Sequence, residues 1–253
     1  MSPILVGGTG GSGTRAIRDA LIAAGVFMGT TVNHAGDLRH LPPLLDQLVN
    51  PILARTRSLD FRVEDVQDDL RRLAIDGLRD IAATVRAEGH NPTLWGWKNP
   101  RVLYILPLIA EALPGARIVQ VVRDGRDIAL SNNQKQLDRH FEAYFGTPPG
   151  PDLEQDSIRF WAATNQDFLN CGRRLFGERY HVLKLEAATD PQDPALADLL
   201  RHLVPGIGPD RLQAARAAVT TLPGHGRWRD LPETRQQALA QAAGPALSLF
   251  GYS

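Results

Sequence analysis

Short apolar runs bounded by glycine or polar residues alternate along this chain with stretches in which apolar residues recur every three to four positions. Residues 4–6 (Ile-Leu-Val) form the first run, and glycines follow at once, which predicts a short buried strand ending in a tight turn. Ile17, Ala20, Leu21 and Ala24 then fall on one face of a helix that Gly25 stops. Residues 37–60, rich in Leu, Pro and Arg, read as short helices and loops. Val63, Val66, Leu70, Leu73 and Ala74 predict a helix running to about Glu88. Residues 93–98 read as a second strand, with Trp95 and Trp97 on one face and Lys98 on the other.

Residues 101–113 are apolar and predicted helical, with Pro107 as a kink or a later start. Residues 117–122 (Arg-Ile-Val-Gln-Val-Val) have the continuous apolar character of a buried parallel strand. Helices are expected from about Gly125 and over 153–176, and a strand over 180–185. From Pro194 the chain reads as mostly helical, apart from a Pro-Gly-His-Gly loop at 223–226. Strands alternating with helices predict an α/β fold of three layers, a central parallel sheet covered on both faces. No repeat or linker divides the chain, so residues 1–253 are expected to form one domain.

Composition narrows the function classes. The chain has 28 basic and 28 acidic residues and a formal net charge of zero, so no global field draws it to nucleic acid or an anionic membrane. Any anion site must be local. One cysteine, Cys171, allows no internal disulfide and reads as a small buried hydrophobe in a helix. No stretch has the apolar length of a membrane span, and the apolar start is too short for a signal peptide, so a cytoplasmic protein is expected.

The first chemical signal is the loop Gly7-Gly-Thr-Gly-Gly-Ser-Gly-Thr-Arg15. Its glycines let the backbone turn several N–H groups toward a phosphate, and the helix behind it adds its positive end. Gly10, Gly11, Ser12, Gly13, Thr14 and Arg15 are the candidate contacts. Gly8, Gly10 and Gly13 fit the dinucleotide fingerprint, but no acidic residue ends a second strand about twenty residues on. The ATPase phosphate loop fits except at its lysine, whose place before Thr14 is taken by Gly13. An NAD-dependent oxidoreductase and a kinase-like phosphotransferase thus stay as alternatives, the kinase disfavoured.

Residues 121–131 (Val-Val-Arg-Asp-Gly-Arg-Asp-Ile-Ala-Leu-Ser) carry the second signal. Arg123 ends a buried strand, where α/β sheets place ligands, and Ser131 lies eight residues on, expected on the next helix. An arginine merely paired with Asp124 or Asp127 is the bland alternative. With the first loop, this block resembles the sulfotransferase family that uses 3′-phosphoadenosine-5′-phosphosulfate. Trp97-Lys98-Asn99-Pro100-Arg101 looks like the Lys-x-Pro element of the tyrosylprotein and related bacterial members, and Gly226-Arg227-Trp228-Arg229 like a late basic-Trp element that closes over the donor.

The resemblance spans residues 7 to about 229 and implies a P-loop-like fold, sulfuryl transfer to a hydroxyl or amine, and adenosine 3′,5′-bisphosphate as product. It implies that Arg123 and Ser131 grip the 3′-phosphate, that Arg227 and Trp228 close over the nucleotide, and that Lys98 donates to the bridging oxygen. The base would lie in residues 28–37, where His34 has a suitable unperturbed pKa and Asp37 would orient it or act directly. Asn33 could bind the acceptor, a small molecule or a glycan. No metal is needed, and the seven histidines show no ligand spacing. Two departures stand out. Many relatives carry a basic residue where this chain has Gly11, leaving Arg15 or Lys98 to take over, or a weakened binding module; and Leu185 replaces a tyrosine that contacts adenosine.

Overall fold

A computed structural model of the chain describes residues 2–219 and 224–252. Strand β1 (Ile4–Gly8) leads into α1 (Thr14–Ala23), α2 (Leu41–Thr56) and α3 (Asp68–Glu88). Strand β2 (Gly96–Lys98), α4 (Leu106–Ala112) and β3 (Arg117–Val122) follow. Then come α5 (Gly125–Ala129), α6 (Lys135–Phe145), α7 (Leu153–Phe176) and β4 (Tyr180–Lys184). The described remainder holds α8 (Leu185–Thr189), α9 (Ala195–Leu203), α10 (Pro209–Ala217), α11 (Glu233–Ala243) and α12 (Ala246–Leu249).

Among the described residues the strands form one parallel sheet in the order β2-β1-β3-β4. Side-chain alternation divides the core in two. Ile4, Val6, Val119 and Val121 pack with Ile17, Leu21 and Leu200 of α1 and α9. Leu5 and Ile118 point the other way, to Val85, Leu108 and Phe168 of α3, α4 and α7. The expected three-layer α/β/α arrangement follows. Trp95 and Trp97 are buried core residues. Cys171 is buried in α7, and burial pushes its thiol up to about 12. No helix among the described residues is long and apolar enough to cross a membrane.

Several expected boundaries move. Residues 41–56 form one continuous helix in place of short pieces: Pro42 and Pro43 fall in its first turn, where no amide is required, and Leu44, Leu45, Leu48 and Leu53 bury one face. The helix expected from Val63 begins at Asp68, after a 3₁₀ turn over Val63–Asp65. Residues 100–105 are 3₁₀ and the α-helix starts one residue before Pro107, the later start the sequence allowed. Strand β2 has three residues; before it, Trp95 lies outside the strand, in an isolated bridge to Phe27. Leu185 opens α8 and does not end β4. Pro223, in the loop expected at 223–226, lies outside the described residues.

Pairing of β1 with β2 leaves no room at Gly96, where a Cβ would stand 1.8 Å from the Ile4 carbonyl oxygen. That oxygen is backbone and cannot rotate away. Gly96→Ala should therefore lower stability by about 2 kcal/mol or more, while Gly208→Ala, in open space, stays within about 0.5 kcal/mol of the parent. Urea denaturation of both variants measures the difference.

Candidate active site

Because β1 lies between β2 and β3, the carboxyl ends of all three strands meet at one edge, and each delivers a sequence candidate. The loop after β1 folds back on itself, with Ser12 N–H donating to the Thr9 carbonyl at 3.1 Å. Gly11 and Gly13 both have φ of 84°, a conformation costly for any side chain. A Cβ on Gly13 would also stand 2.5 Å from the Leu185 side chain, so a lysine before Thr14 would need both a strained backbone and a shift of that leucine. Gly13 is the N-cap of α1 and supplies no side-chain cap. The hydroxyls of Ser12 and Thr9 are buried with no hydrogen-bond partner among the described residues. Unmet donors at a helix start, beside buried unpaired hydroxyls, suit an anion.

Lys98 ends β2 in register with Val6. Asn99 accepts from the Arg101 amide at 3.0 Å and Pro100 opens the 3₁₀ turn, which fixes the direction in which the strand ends. Only 2% exposed, Lys98 donates from Nζ to Asp37 Oδ1 at 2.5 Å and to the Ala35 carbonyl at 2.7 Å. Burial lowers its pKa below the ordinary lysine value of 10.5, and Asp37 works against that fall. Arg15, exposed on α1, donates from Nε to the same Ala35 oxygen at 3.3 Å. The two cations named as substitutes for a basic residue at position 11 thus converge on one carbonyl.

The turn at 33–37 is organised by Asn33, whose side-chain oxygen accepts the amides of Ala35 (2.8 Å) and Asp37 (2.9 Å) and whose Nδ2 donates to Asp37 Oδ2 (3.1 Å). Asn33, considered above as an acceptor contact, has its oxygen committed to folding this turn. Asp37 faces Lys98 and Asn33, and no hydrogen bond joins it to His34. The expectation that Asp37 orients His34 is corrected on that geometry: the carboxylate is drawn to the buried ammonium instead. His34 is exposed at the tip of the turn.

Arg123, at the end of β3, reaches from the glycine loop to the late segment. Its Nη1 donates to the Gly11 carbonyl at 3.4 Å, its Nη2 to the Gly224 carbonyl at 2.8 Å, and Asp127 Oδ2 stands 3.7 Å from Nη2. Asp124 pairs with Arg126 at 2.8 Å. The Arg123–Asp127 pair of the bland alternative therefore exists, while Asp124 pairs with Arg126, and Arg123 also spans the glycine loop and the late segment. Ser131 lies after α5 and not on it, because that helix stops at Ala129. Its Oγ would be 3.8 Å from a Cβ on Gly11, so it does stand beside the first loop.

Asp127 is the residue that sequence reasoning did not recognise as central. Fully buried, it accepts the amides of Gly226 (2.6 Å) and Trp228 (3.4 Å), and its own carbonyl takes Arg227 Nη2 at 2.8 Å. Two guanidinium groups stand over the Trp228 ring, Arg126 at 3.4 Å and Arg229 at 4.9 Å from its centre. A cleft of about 220 Å³ opens here, lined by Arg126, Lys184, His225 and Arg229 among others. The only available hint in sequence was the i, i+4 spacing of Arg123 and Asp127.

The model of the sulfotransferase family matches residues 3–204. No curated protein matches the chain. Solved structures that share its fold include three sulfotransferases. A sulfotransferase domain from the curacin biosynthetic pathway is 14% identical with a TM-score of 0.58, over 100% of this chain and 99% of that one. A sulfotransferase domain from the Synechococcus PCC 7002 olefin synthase is 16% identical with a TM-score of 0.53, over 99% and 95%. The sulfotransferase STF9 from Mycobacterium avium is 15% identical with a TM-score of 0.55, over 100% and 77%.

Removing the Asp127 carboxylate should free the 224–230 segment from the end of β3. Asp127→Ala is expected to speed tryptic cleavage after Arg227 or Arg229 by about tenfold or more, equivalent to roughly 1.4 kcal/mol of local opening. Limited proteolysis read by mass spectrometry tests this; cleavage there at the parental rate would mean that other contacts hold the segment.

Proposed function

This chain belongs to the sulfotransferase family, and from that premise we propose that it transfers a sulfuryl group from 3′-phosphoadenosine-5′-phosphosulfate to a hydroxyl or amine of a small-molecule or glycan acceptor. The observation that carries the reading is the convergence, at one sheet edge, of an uncapped glycine loop, a buried lysine and a buried arginine that reaches the Gly224 carbonyl, just ahead of Arg227 and Trp228. Residues 1–253 act as one domain in this reading, in a reducing compartment such as the cytoplasm.

Each group has a task set by its surroundings. The loop amides with Ser12, Thr14 and Arg15 hold the 5′-phosphosulfate end. Arg123 exchanges its carbonyl partners for the 3′-phosphate, with Ser131 beside it and Arg227 and Trp228 closing over the nucleotide. In the transfer step the acceptor oxygen or nitrogen forms a bond to sulfur while the bond from sulfur to the bridging oxygen breaks in line, and adenosine 3′,5′-bisphosphate leaves. Lys98 donates to that bridging oxygen as negative charge grows on it. The acceptor's proton passes to the 33–37 turn. Asp37 is occupied with Lys98, so it serves to keep the ammonium charged, and exposed His34 is the proton acceptor. Leu185, packed against Gly13, supplies an apolar contact where relatives use a tyrosine.

A non-catalytic binding module is the second reading, favoured by Gly11: its backbone conformation excludes an unstrained basic side chain at the position where relatives carry one.

Adenosine 3′,5′-bisphosphate should raise the melting temperature more than ATP or NAD at equal concentration. Stabilisation by NAD equal to or above that of the bisphosphate would instead support the oxidoreductase reading.

Ground-state binding and chemistry should separate in two variants. Arg123→Ala is expected to weaken bisphosphate binding by roughly 2–4 kcal/mol, the scale of a lost charge-assisted contact. Lys98→Ala should leave that affinity nearly unchanged and lower turnover. Since burial lowers the lysine's pKa and the reaction needs its proton, parental turnover should fall on the alkaline side with a midpoint below 10.5. Calorimetry and release of labelled sulfate from the donor, with water as acceptor, check all three. Loss of bisphosphate binding in Lys98→Ala but not in Arg123→Ala would reverse the assignment of the two phosphates.

A further inference from the structure

We propose that Glu88 is a positioning residue that clamps the outgoing limb of the 30–40 loop and so seats Asp37 on Lys98. The proposal rests on the reading of Lys98 given above and extends it to a residue outside every motif. Loop 30–40 leaves the sheet edge after the Phe27–Trp95 bridge and returns to the start of α2. Its tip is the 33–37 turn. Its two ends meet at one carboxylate.

Both oxygens of Glu88 are used. Oε2 accepts from the Thr30 amide at 2.8 Å, the Thr30 hydroxyl at 2.9 Å and the Thr31 amide at 3.4 Å. Oε1 accepts from the Thr31 hydroxyl at 2.7 Å and faces His40 Nε2 at 3.3 Å. Thr30 and Thr31 open the loop and His40 closes it. Gly29, at φ 69°, turns the chain onto the carboxylate; a Cβ there would stand 3.3 Å from Leu38 and 3.8 Å from Glu88 Oε2.

The position is an unfavourable one for a carboxylate. Glu88 is the last residue of α3, where the helix end is itself negative. Partial burial also opposes its charge, and the hydrogen bonds from Thr31, Thr30 and His40 overcome both, holding the carboxyl at about 2. A group so placed and so fully coordinated has a purpose in fixing what coordinates it.

The two limbs of the loop are held differently. Leu38 on the returning limb is fully buried, and its amide donates to the Lys98 carbonyl at 2.9 Å. The outgoing limb has exposed Thr30 and part-buried Thr31, and Glu88 ties it to the body of the protein. Between the limbs, the Arg39 amide donates to the Thr31 carbonyl at 3.0 Å, and Val32 bridges Leu38. A shift at residues 30–31 therefore passes to Asn33, which holds the amide and carboxylate of Asp37.

A direct readout exists that needs no acceptor. The chain has three lysines, Lys98, Lys135 and Lys184, so ¹⁵N-lysine NMR can follow each amine through a pH titration. Asp37 from the loop and Arg15 and Arg18 from α1 are the charged groups that face Lys98. Glu88→Ala should move the Lys98 midpoint by about one pH unit or more, tenfold in proton affinity, and in the same direction as Asp37→Asn. Lys135 and Lys184 should not move, and bisphosphate affinity by calorimetry should stay within about threefold. Thr31→Val, which removes one donor and keeps the side-chain shape, should move Lys98 in the same direction by less, and carries the test if Glu88→Ala does not fold. A Lys98 titration that is parental in the folded variants overturns the proposal. So does a common shift of all three lysines, or a matching loss of bisphosphate affinity, since either would make Glu88 a general support of the fold. If the parent protein fails to bind the bisphosphate, the donor-site reading falls while the Lys98 titration still decides the clamp.

Discussion

Parallel pairing of β1 with both β2 and β3 is the constraint from which the rest of the site follows. Neighbouring parallel strands run about 4.8 Å apart with their carboxyl ends on one side. The register Val6 to Lys98 and Gly8 to Val121 therefore brings the glycine loop, the lysine and the approach to Arg123 to one edge, although they lie far apart in sequence. The tight fit of Gly96 on the Ile4 carbonyl shows how little freedom this register has.

At that edge the fold buries charge in pairs. Lys98 with Asp37, Arg123 with Asp127, and Arg126 with Asp124 are all largely removed from water. Such pairs add little net stability, because desolvation offsets most of the attraction. What they provide is placement: each cation is held at a fixed point by a carboxylate already present. In the proposed function, a nucleotide with two phosphate-bearing ends would meet cations whose desolvation was completed during folding, so less reorganisation would accompany its binding.

Two irregular segments, the 30–40 loop and the 224–230 segment, are each fastened by an acidic residue that is distant in sequence. Glu88 gathers the first and Asp127 the second. Neither carboxylate belongs in an obvious way to the motif whose geometry it controls, and an apolar residue in either place would leave backbone amides without these acceptors.

Sequence alone determined the elements whose signal is local. The run at 117–122, the glycine turn before α1 and the periodicity of α7 were legible because buried strands, left-handed turns and amphipathic helices each leave a pattern within a dozen residues. The candidate residues Lys98, Arg123 and Arg227 were legible as motifs in order. Continuous helix over 41–56 was not, because proline content argues against a helix until the first-turn position of Pro42 and Pro43 and the buried leucine face are known. Nor was the choice of Asp37 for Lys98 over His34, the place of Ser131 beyond α5, or the tie from Asp127 to Gly226. Those are decided by which side chains share a dehydrated space, where an unpaired charge or amide costs several kcal/mol (roughly 1–3 for a neutral group) and must find whatever partner the tertiary structure brings near.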